Sequence, residues 1–213
     1  MAVEAWRSQV DHLVYGTPSL DLTVDALEQT LGVHAAPGGQ HLNWGTRNAL
    51  IRLGARTYLE IIGPDEQQPN FSQPRVFGVD RLDGPRLVTW AACSTALDSF
   101  VVRARQQGWQ LGDVQEGSRQ RTDGKRLSWR LTDPYCVCCD GLQPFFIDWG
   151  ESDHPALAAS AGCGLRQFRA EHPRADEIQA TLTGLGVALP VSKGPRPLLI
   201  ATIETPRGLV ELT

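Results

Sequence analysis

Three times along the chain a short strand-like run gives way to a helical stripe, and the stripe to further strand-like runs. The first run is Val10-Asp-His-Leu-Val-Tyr15. From Leu20 to Leu31 the residues Leu20, Val24, Leu27 and Leu31 then share one helical face, and Gly32 stops the helix. Between Gly38 and Pro64 the pattern predicts two or three consecutive strands. Ala49–Leu53 and Thr57–Ile62 are rich in β-formers, and Gly54-Ala-Arg56 turns the chain between them. The second unit opens with Arg86–Cys93. Its helix carries Leu97, Phe100, Val101 and Ala104, with Ser94 or Thr95 as N-cap and Gly108 as terminator. Strands follow at Leu127–Leu131 and Pro144–Trp149. The third begins near Leu165–Phe168 and enters a helix with Pro173 in its first turn and Ile178, Leu182 and Leu185 on one face. Gly186 stops it, and Leu198–Ile203 and Leu209–Leu212 finish the chain as strands.

The units span about 8–64, 86–150 and 164–213, and they read as one α+β domain of 213 residues. Their helix ends match (Leu31-Gly32, Gln107-Gly108, Leu185-Gly186), and so do the strands Tyr58-Leu-Glu-Ile61 and Leu209-Val-Glu-Leu212. One helix cannot cover both faces of a sheet, so units should pair across the faces the helices leave free. An odd number of units leaves one over, to be met by a homodimer or by a mixed barrel. Asp65–Pro85 and Glu151–Gly162 read as connectors, the first a surface excursion.

One position breaks the apolar pattern informatively. In Thr57–Ile62, side chains alternate between faces, so Leu59 and Ile61 share one and Tyr58, Glu60 and Ile62 the other. Burying a carboxylate costs several kcal/mol unless a cation, a metal or donors compensate. Glu60 is therefore expected to face a cavity; pairing with Arg52 or Arg56 is the plainer explanation.

Composition narrows the function. A net charge of -4 and a pI near 5.7 argue against nucleic acid and anionic membrane as partners. No run reaches transmembrane length, and Met1–Trp6 lacks the features of a signal peptide, so a cytoplasmic location is expected. Five cysteines suit that compartment better than a disulfide framework. Cys136, Cys138 and Cys139 crowd into one loop, but no further Cys or His pair stands at zinc-ligand spacing. Nucleophile elbow, phosphate loop, dinucleotide fingerprint and H-E-x-x-H helix are all missing from the sequence.

The three βαβββ-like units, Asp11-His12 in the first strand, and the stretch from Gly38 to Pro69 resemble the vicinal oxygen chelate superfamily, in its glyoxalase-like branch. Phe145-Phe-Ile-Asp-Trp-Gly150 and Ser152–Pro155 add to the likeness. The resemblance implies an open, cup-shaped mixed β-barrel with helices packed outside and a ligand or metal site in the cup. Metal ligands in that superfamily come from the first and last strands of paired units, where His12 and Glu60 stand. A divalent ion (Zn, Ni, Mn or Fe) held there would stabilise an enolate or similar oxyanion. Glu60 could double as general base, and His41, part of the same likeness, as acid, base or orienting donor.

Beyond these two ligands the pattern departs from the family. Trp90 stands where His12 stands in the first unit, Ile147 aligns with Glu60, and Asp148 is one residue off. Glu211 matches Glu60 in the third unit. Either His12 and Glu60 hold a metal with Glu211 or Asp148, or the site is metal-free and the cup binds organic ligands. Asn48 and Tyr58 are candidate substrate contacts on cup-facing positions, and Trp44, Trp90, Trp129 and Trp149 suit a flat ligand. The basic residues of segment 101–130, Arg119, Arg121 and Lys125 among them, either steer an anionic substrate or form a solvated hairpin. Two functions stay open: a metal-dependent isomerase, lyase or dioxygenase acting on a small oxygenated molecule, and a metal-free protein that sequesters one.

Overall fold

Each unit takes the order strand, helix, three strands in the computed structural model, which describes residues 10–120 and 126–213. Met1–Trp6, Arg121 and Lys125 lie outside the described residues. The first unit is β1 (Val10–Gly16), α1 (Leu20–Leu31), β2 (Ala36–His41), β3 (Thr46–Gly54) and β4 (Thr57–Pro64). The second is β5 (Arg86–Cys93), α2 (Leu97–Gln106), β6 (Val114–Gln120), β7 (Arg126–Thr132) and β8 (Phe145–Asp148). The third is β9 (Gly164–His172), α3 (Ala175–Gly184), β10 (Val191–Lys193), β11 (Leu198–Thr205) and β12 (Gly208–Leu212).

Local rules set the helix ends, with two exceptions. Gly32 adopts φ 74° and its N–H caps the Glu28 carbonyl, a left-handed stop that favours glycine. Ser94 and Thr95 do not cap α2, which starts after Ala96 with no side-chain cap. Pro173 precedes α3 instead of joining its first turn, because Nδ1 of His172 accepts the Arg174 N–H and holds a turn there. β6 escapes the pattern because Val114–Gln120 is mostly polar; pairing with β7 holds it in place.

The first two units close a mixed barrel in the order β1-β4-β3-β2-β6-β7-β8-β5, with β5 returning to β1. β1 with β4 and β5 with β8 are parallel, the other barrel pairs antiparallel. On the far side the units meet, among the described residues, at one residue pair, Gln40 opposite Gln120. The third unit stays out of the barrel as the sheet β10-β9-β11-β12. Its Ala170, Leu199, Ala201 and Ile203 share a core with the helices and with outward residues such as Leu13, Ile51 and Leu59. The leftover sheet is thus buried against the outside of the barrel within one chain. Trp90 belongs to this outer layer, edge-on to Phe168 at 5.3 Å between ring centroids.

A second cluster fills the barrel, including Val14, Leu50, Tyr58, Ile62, Trp129 and Ile147. The connector Asp65–Pro85 is more than a surface excursion, since its short 3-10 turn Val76–Arg81 sends Val76 and Val79, both 0 % exposed, into this cluster. The connector after β8 adds Ala156 and Ala159, fixed by Arg52, which donates to the carbonyls of Ala156 and Leu157. No helix among the described residues is long and apolar enough to cross a membrane.

Candidate active site in the barrel

Strand alternation turns polar and aromatic side chains alike into the barrel lumen, around a cavity of about 30 Å³. His12, His41, Asn48, Glu60 and Arg119 are the polar lining. Trp44, Tyr58, Phe77, Trp129, Phe145 and Trp149 supply the aromatic walls. Glu60 is 7 % exposed, and Arg52, its candidate partner in the plainer explanation, is engaged elsewhere.

His12 and Asp11 are sequence neighbours, yet their side chains meet: Nδ1 of His12 lies 2.7 Å from Oδ1 of Asp11. A register shift between Val10 and His12 in the pairing with β5 breaks the alternation that would send them apart. Asp11 also accepts from the Trp149 indole at 3.0 Å and from Nε2 of His154 at 3.1 Å. His154 is set for this because its Nδ1 accepts the Ala156 N–H. Burial alone would raise the Asp11 carboxyl. The hydrogen bonds from His12 and His154 outweigh it and bring Asp11 down to about 2. The ionised carboxylate fixes the His12 ring, whose other nitrogen, Nε2, faces Oε2 of Glu60 at 3.7 Å. The ring also stacks on Tyr58, with centroids 4.5 Å apart.

The other carboxylate oxygen of Glu60 accepts from the Asn48 amide at 2.5 Å, and the Asn48 carbonyl faces Nη1 of Arg119 at 3.4 Å. Gly38 makes this meeting feasible, because a Cβ there would overlap both Asn48 Oδ1 and Arg119 Nη1. Trp129 likewise lies over Gly117, where no side chain could fit. His41 is buried against Thr46, with Nδ1 to Oγ1 at 3.1 Å. Burial pushes its imidazole down to about 4; Glu60 opposes this, while Arg119 and His12 reinforce it. Burial and the charges of Asp11 and Glu60 raise the Tyr58 phenol well above its ordinary value, so it stays protonated.

Three predicted residues lie elsewhere. Glu211 is on β12 in the outer sheet, its carboxylate near Arg169 at 3.5 Å, because the third unit never joins the barrel. Asp148 is outside the cavity and accepts the Gly150 N–H at 2.9 Å, since Phe145 and Ile147 take the inward positions of β8. Trp90 faces outward and donates to the Leu142 carbonyl at 2.9 Å; Ala91 is the residue opposite His12. Conversely, the pattern gave no role to Phe77 or His154. Of these, only His154 left a trace in the sequence, in the run Ser152–Pro155.

The second unit thus offers Ala91 and Ile147 where the first offers His12 and Glu60. Among the described residues no group of three or more His, Cys, Asp or Glu side chains converges for a metal ion. His12 and Glu60 furnish two donors, half of a usual shell, and these residues do not fit a resident divalent ion. The loop cysteines stay free, with Cys136 and Cys138 sulfurs 3.9 Å apart and burial pushing the Cys136 thiol up to about 11.

A family model described as a glyoxalase-like domain matches residues 10–186. No curated protein matches the chain. A hypothetical protein from Staphylococcus aureus has a similar structure, with a TM-score of 0.66 at 12% identity over 89% of this chain and 87% of that one. At that identity the likeness concerns the fold. A methylmalonyl-CoA epimerase from Mycobacterium tuberculosis aligns with a TM-score of 0.46 at 20% identity, over 74% of this chain and 96% of its own.

Proposed function

This chain belongs to the glyoxalase-like domain family of the vicinal oxygen chelate superfamily, and on that premise we propose that its barrel is an acid–base site acting on a small oxygenated substrate. One observation carries the reading: Nδ1 of His12 is tied to the Asp11 carboxylate while Nε2 faces Glu60 across 3.7 Å. At that distance, and with both side chains buried, a proton can pass between the two groups within the site. Glu60 takes a proton from the carbon beside a carbonyl, and His12 returns one to the neighbouring carbon or oxygen. The negative charge that develops on the carbonyl oxygen is met by the Arg119 guanidinium and the Asn48 amide in the same wall. No electrons leave the substrate, so the reaction is an isomerisation, an epimerisation or an elimination. The step as drawn needs no resident metal, since these side chains supply both proton transfers.

The test is deuterium exchange from solvent into a panel of 2-oxo acids, 2-hydroxy ketones and 2-hydroxy aldehydes, followed by NMR. Exchange by the parent protein, lost in Glu60→Gln and in His12→Asn, is expected. Binding without exchange would make the barrel a sequestering site. Stoichiometric metal in protein purified without chelator or histidine tag, removed by both His12→Ala and Glu60→Ala, would overturn the metal-free assignment.

A further inference from the structure

The barrel cavity holds roughly one or two waters, far below the several hundred Å³ that enclose an organic ligand. Next to it lies a groove of about 920 Å³ between the Val76–Arg81 turn, the cysteine loop and the start of β11. Two residues line both spaces: Phe77 and Phe145, stacked with centroids 5.5 Å apart. The partition is therefore a pair of rings, one on a barrel strand and one on a connector.

The connector's backbone sets Phe77 apart from Phe145. Phe77 sits at φ 58° and Gly78 at φ 66°, and left-handed backbone at an aromatic residue costs of order 1–3 kcal/mol. Both flanks are pinned. Val76 and Val79 are wholly buried, while Arg75 is paired with Asp80 at 2.7 Å and donates to the Gly45 carbonyl at 2.6 Å. A strained residue beside a glycine, between fixed anchors, can swing its ring without unfolding the segment.

We propose that Phe77 is the gate between groove and barrel, and that the substrate is an elongated molecule whose oxygenated head reaches Glu60 while its uncharged body lies in the groove. The groove's charges set the body's chemistry. Arg81, Arg86 and Arg196 are balanced by Asp83, Asp133 and Asp140, with Arg86 paired to Asp83 at 2.9 Å. Apolar side chains, Leu82 and Val88 among them, lie between these charges in the lining. Balanced charges interspersed with apolar side chains suit an uncharged body and do not favour a polyanion. The assignment of the head to Glu60 rests on the acid–base reading; the gate does not.

Acrylamide quenching of tryptophan fluorescence tests the gate without any substrate, because Trp44, Trp129 and Trp149 line the barrel side. Phe77→Ala is expected to raise the quenching constant about twofold and Phe77→Leu by less, with cooperative melting retained. Where Phe77→Ala does not melt cooperatively, Phe77→Leu decides. The neutral dye N-phenyl-1-naphthylamine should bind the parent protein and bind Phe77→Ala at least tenfold tighter, with energy transfer from the tryptophans. Its sulfonated, anionic analogue should bind more weakly than the neutral dye. Quenching and dye affinity unchanged in both variants would overturn the gate, and preference for the anionic dye would overturn the uncharged body. Glu60→Gln should leave quenching and dye binding as in the parent, so loss of exchange activity alone counts against the chemistry and not the gate.

Discussion

Oδ1 of Asp11 stands 2.7 Å from Nδ1 of His12, the residue that follows it in sequence. The contact, with the bonds from Trp149 and His154, makes Asp11 the anchor of the His12 ring. Asp11→Asn keeps the shape but removes the charge that three donors converge on. Urea denaturation should show a loss of roughly 2–4 kcal/mol, the range for breaking a buried charged network. A loss below about 0.5 kcal/mol would mean that the array contributes little to folding.

Acid stability follows from two buried groups. His41 has its folded value lowered to about 4 from 6.5, so the unfolded chain binds the proton first as pH falls. Stability present above pH 6.5 should therefore decline between 6.5 and 4, by on the order of 3 kcal/mol. Asp11, lowered to about 2 from 3.8, contributes stability that is complete above 3.8 and is lost as pH falls toward 2. Chemical denaturation of the parent and His41→Gln across this range checks the first window, which the variant should flatten.

Glu60→Gln retains the volume and an acceptor for Asn48 but cannot take a proton. Exchange activity on the responsive substrate should fall by about a hundredfold or more, with folding stability within about 1 kcal/mol of the parent. Asp148→Asn, outside the cavity, should leave the rate within a factor of two. Equal losses in both variants would remove Glu60 from the chemistry.

Gly38→Ala should act on the site from the neighbouring strand. The added methyl occupies the space where the Asn48 amide and the Arg119 guanidinium meet, so both must shift. Overpacking of this kind costs about 1–3 kcal/mol. Loss of exchange activity beyond what the melt explains is expected, and an unchanged rate would show that the Asn48–Arg119 contact is dispensable.

Trp90 and Glu211 provide the opposite contrast. Trp90→Ala should lower stability by about 3–5 kcal/mol through its cavity against Phe168, with ligand binding in the barrel unaffected at temperatures where the variant is folded. Glu211→Gln, on an exposed pair with Arg169, should change stability by less than about 0.5 kcal/mol. Urea titrations of both settle these values.

Periodicity alone determined the threefold order of strand, helix and further strands, the span of α1 and the inward face of β4, because those features depend on residues close in sequence, while β6 and β10 left no such pattern. With the resemblance it also singled out His12, His41, Asn48, Tyr58, Glu60 and Trp129, all of which line the cavity. Tertiary structure decided which units pair, and with that the fate of Glu211, whose strand joins the outer sheet; Trp90 stays on barrel strand β5 but faces outward, because Ala91 takes the inward position opposite His12. The Asp11–His12 contact needed a bulge that breaks alternation, and such an irregularity is fixed by the partner strand. Arg119, His154 and Phe77 reach the site area from a polar strand and two connectors, whose paths no hydrophobic pattern encodes. They converge with Glu60 because the barrel closes, and closure is a property of all eight strands together.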